Sequence, residues 1–263
     1  TGSLDPLATG VLPLCFGEAT KFSQFLLDSD KRYWTRIKLG VTTATGDAEG
    51  EVTGGADASH VTAAAVETAL EKLRGQIEQV PSMYSALKHE GQPLYKLARQ
   101  GIEVERKART VTVFSNELVK FDGDELELEI HCSKGTYVRT IAEDLGHALG
   151  CGGHVIGLRR LAVGPSVEPE AISFEQQESC EDNDSLDSLL KPIESSVQDW
   201  PKVRMVSDTA YYLMQGQPVQ VAKAPTEGWV QLLEIAEEDD VFLGVGEVLV
   251  DGRIAPRRLV VFS

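Results

Sequence analysis

Two stretches of the chain alternate apolar and polar residues with a strict period of two. In Lys31–Leu39, Tyr33, Thr35, Ile37 and Leu39 fall on one side, and basic or aromatic residues fall on the other. In Glu125–Cys132, Leu126, Leu128 and Ile130 alternate with Glu125, Glu127 and Glu129. Successive side chains of a strand point to opposite faces, so each stretch predicts a strand with one apolar face and one polar face. Val61–Leu73 and Ile141–Leu149 carry apolar residues at helical spacing instead, stopped by Gly75 and Gly150. Strands and helices of this kind in one chain predict an α+β fold.

The remaining elements are read in the same way. Val11–Phe16 and Val155–Val163 are apolar runs of strand length, and Arg109–Lys120 is a further strand. Glu18–Leu27 has Phe22, Phe25 and Leu26 at helical spacing. Gln79–Lys88 reads as extended, His89-Glu90-Gly91-Gln92 as a hairpin-like turn, and Leu94–Gln100 as a short helix. From Pro201 onward short strands alternate with glycine turns: Val219–Val221, Trp229–Leu233, Val241–Val250 and Leu259–Phe262. That pattern predicts a small all-β, barrel-like module and a domain boundary near residue 200.

The chain of 263 residues has a formal net charge of −16, which argues against indiscriminate binding to nucleic acid. The charge is uneven. Residues 165–200 hold ten acidic residues against the single base Lys191, and read as a solvated, partly helical connector. A local basic groove in the first part of the chain is therefore still allowed. No apolar run approaches the roughly 20 residues needed to span a bilayer. Cys15, Cys132, Cys151 and Cys180 show no C-x-x-C pair, and Cys151-Gly152-Gly153-His154 has only half of a metal-site spacing. Buried free thiols in a reducing cytoplasm are the expectation. The five histidines have no ligand spacing, and neither a phosphate-binding loop nor a dinucleotide fingerprint occurs.

Against that background Asp5 stands out in Thr1-Gly-Ser-Leu-Asp-Pro-Leu-Ala-Thr-Gly10, where its neighbours are small, apolar or turn-forming. Pro6 biases Asp5 toward extended geometry, so the carboxylate is held on a rigid loop. It can be a nucleophile, a general base or a plain turn residue. Arg139 ends a Gly-Thr-Tyr-Val-Arg run where a turn enters a helix. It can reach across a cleft to a carboxylate, or serve as a surface ion-pair residue. Tyr33, flanked by Lys31 and Arg32, suits stacking on a base while the cations meet phosphate; the plainer reading, and the commoner one, is a strand tyrosine half in the core. Lys21, Lys31, Arg32, Arg36 and Lys38 can track a phosphate backbone or form a solvated face.

Five blocks, in order, resemble the bacterial tRNA pseudouridine-55 synthases of the TruB type. They are Thr1–Gly10 with Gly17-Glu-Ala-Thr-Lys21, Asp30-Lys-Arg-Tyr33, Pro81-Ser-Met-Tyr-Ser-Ala-Leu-Lys88, His131-Cys-Ser-Lys-Gly-Thr-Tyr-Val-Arg139 and Gly153-His-Val-Ile-Gly-Leu-Arg-Arg-Leu161. The resemblance implies a mixed, largely antiparallel sheet flanked by helices over residues 1–200. A small PUA-like RNA-binding barrel over 201–263 would follow. It implies that Asp5 is the aspartate that attacks the target nucleoside, that Tyr33 stacks on the flipped uracil, and that Arg139 pairs with the aspartate. Tyr137 and Leu158 would line the pocket, Asp47 would join the polar network, and Lys21 would support the loop or contact RNA. The implied reaction needs no cofactor or metal. The implied partner is the T-stem-loop of tRNA, met in the cytoplasm by a monomer with no membrane and no obligatory protein partner. Family members also carry a first strand and a Gly-His pair before the Thr-Gly of this opening motif, so the resemblance implies a chain that lacks that N-terminal segment.

Overall fold

The computed structural model describes residues 1–261. By their contacts the residues form two compact units: Gly2–Leu12 with Ser29–Val163, and Thr1 with Pro13–Asp28 and the chain from Gly164 onward.

The first unit is built on one sheet. Its strands are β1 (Ala8–Gly10), β2 (Lys31–Leu39), β3 (Gly75–Gln79), β4 (Arg109–Asp122), β5 (Glu125–Cys132) and β6 (Gly153–Val163). They pair in the order β1-β6-β2-β5-β4-β3. The β1–β6 pair is parallel and the others are antiparallel, so the sheet is mixed and largely antiparallel, as expected. Two helices, α1 (Ala63–Glu71) and α2 (Val138–Ala148), supply Val66, Leu70, Ile141 and Leu145 to one buried cluster with Ile37, Leu39, Leu126, Leu128 and Ile130. The alternation in β2 and β5 thus has its predicted consequence, one face buried under helices. Helix α1 starts where Thr62 Oγ1 accepts a hydrogen bond from the Ala65 amide at 3.2 Å.

Three stretches fold differently from expectation. The first strand is Ala8–Gly10 rather than Val11–Phe16. Pro13 has no amide to donate, and Leu12, Leu14 and Phe16 are left exposed. Gly75 does not merely stop α1; it opens β3, which ends at Gln79. The chain beyond is not extended through Lys88, because it turns at Met83–Ala86 and packs Met83 against Leu94 and Leu97 in a small cluster of its own. The expected hairpin turn does form, with Lys88–His89 paired to Gln92–Pro93. Glu90 and Gly91 take φ values of 49° and 83° there.

The second unit contains β7 (Lys202–Met205), α3 (Ser207–Met214), β8 (Gly228–Glu234), β9 (Val241–Val248) and β10 (Ile254–Leu259). The sheet order is β7-β8-β9-β10, parallel for the first pair and antiparallel for the rest, and Val219 makes an isolated bridge to Ile254. The module is therefore not all-β. Helix α3 buries Ala210 and Leu213 against Val203, Val230, Leu232 and Ile254. Its two adjacent tyrosines, Tyr211 and Tyr212, are exposed and disguise the helical spacing. The last strand ends at Leu259, and Phe262 lies outside the described residues. The expected N-terminal helix is a 3-10 segment, Gly17–Phe22, continued by an α-helix, Ser23–Asp28. Phe22 packs on Val197, Phe242, Val245 and Val260, while the Phe25 ring lies 4.9 Å from that of Trp200 and 5.3 Å from that of Trp229. Residues 165–200 hold two short helices, Phe174–Glu178 and Asn183–Asp187, each opened by a capping box.

Candidate active site

The Asp5 loop is a turn by geometry: the Ala8 amide donates to the Asp5 carbonyl at 2.8 Å. The chain then enters β1, and at Gly10 it runs against β6. A Cβ on Gly10 would stand 2.2 Å from the Arg160 carbonyl, at a φ of 100° that side chains resist. A glycine is required there for β1 to lie alongside Leu158–Arg160.

The turn does not exhaust Asp5. Arg139, in the first turn of α2, forms an ion pair with Asp5, its Nε lying 3.0 Å from Asp5 Oδ2. The Arg139 side chain is 6% exposed, whereas that of Asp5 is 37% exposed. The cation is thus buried and fixed, and the anion faces outward. Arg139 Nη1 also meets Asp47 Oδ2 at 3.4 Å and donates to the Thr45 carbonyl at 3.1 Å, and Nη2 donates to the Tyr84 carbonyl at 3.3 Å. Asp47 is buried, and its other oxygen accepts from Thr45 Oγ1 at 2.5 Å and from the Glu49 amide at 3.1 Å. Two carboxylates therefore share one guanidinium, and only Asp5 is open to a ligand.

Tyr33 lies on the apolar face of β2, paired in register with Ile130 and Arg160. Burial pushes its phenol above the ordinary tyrosine value; nearby Cys132 adds to the push, the Arg160 guanidinium pulls against it, and Asp5 pushes up again. Tyr33 is a neutral phenol at pH 7 and lies within electrostatic reach of Asp5. Leu158, opposite Ala8 and Thr35, is buried in the main cluster beneath them. Burial also pushes the Cys132 thiol up to about 12, so it is an inert core residue. All four cysteines are free, but only Cys132 and Cys151 are buried; Cys15 and Cys180 are half-exposed.

The structure thus brings Asp5, Tyr33, Arg139, Asp47 and Leu158 into one unit and one neighbourhood. Tyr137 precedes α2, and Lys31 and Arg32 open β2, where Lys31 Nζ donates to the Ser29 carbonyl at 2.5 Å and Arg32 is exposed. Lys21 belongs to the second unit. There its Nζ pairs with Glu18 at 2.6 Å and donates to the Leu259 carbonyl at 3.0 Å.

The family model "TruB family pseudouridylate synthase (N terminal domain)" matches residues 1–138, over half of the chain. The chain belongs to the TruB family. Two further models of the TruB family match the rest: "tRNA pseudouridylate synthase B C-terminal domain" at 139–198 and "Pseudouridine synthase II TruB, C-terminal" at 201–260. Relatives include tRNA pseudouridine synthase B of Yersinia pestis (strain Pestoides F), 53% identical over 272 residues, with 100% of this chain and 83% of the relative covered. The protein of the same name from Coxiella burnetii (strain RSA 493 / Nine Mile phase I) is 53% identical over 263 residues, with 99% and 84% covered. Among solved structures, one titled "Crystal Structure of a Cbf5-Nop10-Gar1 Complex" superposes with a TM-score of 0.71 at 21% identity, covering 98% of this chain and 74% of that one. Another, an "H/ACA RNP bound to a substrate RNA containing 2'-deoxyuridine", gives a TM-score of 0.70 at 20% identity, with 98% and 74% covered. These likenesses show that the TruB-family chain has the pseudouridine synthase fold.

Two residues of this TruB-family site escape a reading of the sequence. Gln79, at the end of β3 and buried, accepts from the Tyr137 amide at 3.0 Å and donates to the Tyr137 carbonyl at 3.2 Å. Its side-chain amide thus does the work of a strand neighbour and secures the entry to α2. Arg160, also buried, sits under the Asp5 loop. Part of a signal for Arg160 existed, since it shares strand parity with Leu158 and Arg159 does not, but its partners are backbone carbonyls that parity does not reveal. Gln79 carries no charge and left no signal.

Proposed function

We propose that the chain isomerises a uridine of tRNA to pseudouridine, and that its target is the T-loop uridine at position 55. The observation that carries the reading is the paired-carboxylate geometry, in which Arg139 is held from behind by Asp47 and presents Asp5 with one oxygen engaged and the side chain open. In this role Asp5 is the nucleophile toward the target nucleoside. A bond to Asp5 forms, the bond between N1 and C1′ breaks, the base turns, C5 bonds to C1′, and the bond to Asp5 breaks again. The C5 proton leaves, and N1 gains one. Arg139 orients Asp5, Tyr33 stacks on the flipped base as a neutral phenol, and Leu158 forms the apolar floor. Flipping the base costs roughly a few kcal/mol, which stacking and phosphate contacts offset. Lys31 and Arg32 at the exposed start of β2 serve those phosphate contacts. Lys21 serves the RNA indirectly, by fixing Glu18 and the last strand of the second unit.

Residues 201–263 act as a PUA-like RNA-binding module in this reading, and the protein works alone as a monomer on unguided tRNA. The Pro81–Lys88 block and the small size of the C-terminal module favour that stand-alone mode.

Tritium release from C5-labelled, unguided tRNA transcript tests the proposal. The parent protein is expected to release tritium, and Asp5→Asn to bind the tRNA without releasing it. An Asp5→Asn protein that still turns over defeats the assignment.

A further inference from the structure

Arg160 shows three features that the chemistry above does not use. Its Nε donates to the Val11 carbonyl at 2.7 Å, and its Nη1 donates to the Ser3 carbonyl at 3.2 Å. These carbonyls stand on either side of Asp5 in the sequence. The backbone completes the grip, because the Val11 amide donates to the Arg160 carbonyl at 2.8 Å. The third nitrogen, Nη2, is buried without a hydrogen-bond partner, in a residue only 4% exposed.

A buried guanidinium whose partners are carbonyls rather than carboxylates, and which leaves one donor orphaned, is expensive to keep. Arg160 is also the register partner of Tyr33, and its guanidinium pulls the Tyr33 phenol down against the push of burial. Stability alone does not account for this arrangement, since an apolar residue at this buried strand position would avoid both costs.

We propose that Arg160 is the positioning residue of the site, a single planar fork that holds both flanks of the Asp5 loop against the strand position paired with Tyr33. Arg139 sets the orientation of the Asp5 carboxylate; Arg160 sets where the loop stands relative to the ring that stacks on the base. Lysine cannot replace it, because an ammonium is a point donor and does not reproduce the planar fork that holds both carbonyls. The inference rests on the roles given above to Asp5 and Tyr33.

The test compares Arg160→Lys and Arg160→Gln with the parent protein, so that it does not depend on one variant folding. Single-turnover rate, tRNA affinity and the titration of Tyr33 are measured for each. Tyr33 is followed by fluorine NMR of fluorotyrosine-labelled protein, its resonance assigned by its loss in Tyr33→Phe. Both variants are expected to slow turnover by about 10²-fold, the penalty of a misplaced reacting group, with tRNA affinity unchanged. In Arg160→Gln the Tyr33 titration is expected to move to higher pH, since the cation that pulls it down is gone. Parent-like turnover in either variant, a loss of affinity that accounts for the whole loss of rate, or an unmoved Tyr33 titration overturns the inference. Asp5→Asn keeps the two proposals apart. Turnover by that variant defeats the assignment of function, whereas an inert Asp5→Asn beside a fully active Arg160→Lys defeats only the role of Arg160.

Discussion

Arg139 Nε lies 3.0 Å from Asp5 Oδ2, with the cation buried and the anion a third exposed. The asymmetry has a cost and a use. A buried guanidinium must be neutralised from within, and Asp47 does this from the far side at 3.4 Å. Asp5, on the near side, is left partly exposed.

Asp47 is therefore expected to matter for stability as well as for catalysis. Asp47→Asn keeps the volume but removes the buried negative charge behind Arg139. Breaking a buried pair on one side costs roughly 3–5 kcal/mol, and chemical denaturation of the parent and the variant measures the loss. A variant as stable as the parent would show that Asp5 alone neutralises Arg139.

The Gln79 amide makes a narrower prediction. Gln79→Leu leaves the Tyr137 amide without the partner it has at 3.0 Å, while the Tyr137 carbonyl keeps the Ile141 amide at 3.2 Å. An orphaned amide of this kind costs about 1–3 kcal/mol. The melting temperature should fall, and amide exchange should quicken first at the start of α2, where Arg139 is anchored. Gln79→Glu keeps the acceptor and loses the donor, so its defect should be intermediate.

Gly10 and Gly91 separate crowding from conformation. Both have positive φ, but a Cβ at Gly10 meets backbone at 2.2 Å, while one at Gly91 meets nothing within 4 Å. Gly91→Ala should cost about 1 kcal/mol, the conformational penalty alone. Gly10→Ala should cost more than that in denaturation and should abolish turnover, because β1 can no longer lie against β6.

Glu143, on α2, gives the molecule a pH signature. Burial pushes its carboxyl above the ordinary value of 4.5; Asp144 and Asp47 add to the push, and Arg139 only partly offsets it. The folded state therefore holds the Glu143 proton more tightly than the unfolded state does. No penalty exists below the unfolded pKa, and one develops as pH rises through the higher folded value. Glu143→Gln should raise the unfolding midpoint at pH 8, and the gain should shrink toward zero as pH approaches 4. A gain that is constant across that range would show that charge is not its cause.

Much of this was legible in the sequence for a physical reason: burial on one face writes a period of two into β2 and β5, and nothing competes with it. The Asp5 loop was legible as a turn, and the resemblance carried by its ten residues named its partners. The failures also have causes. Strand β3 is short and at the edge of its sheet, and its residues Gly75-Gln-Ile-Glu-Gln79 are mostly polar, so no alternation marks it. Helix α3 hid behind two tyrosines with strand preference. Gln79 and Arg160 work through backbone carbonyls and amides, which every residue possesses, so their partners are invisible until the chain is folded.

The parallel pairing of Ala8–Gly10 with Leu158–Arg160 also bears on how the enzyme comes into being. Its opening loop is threaded against a strand made about 150 residues later, and contacts so distant in sequence form late because the loop between them must first be closed. On the ribosome, where chains grow at about 5–20 residues per second, a nascent chain that has not yet emerged past Arg160 carries the Asp5 loop without the strand it docks on. The loop finds its seat only once β6 is made.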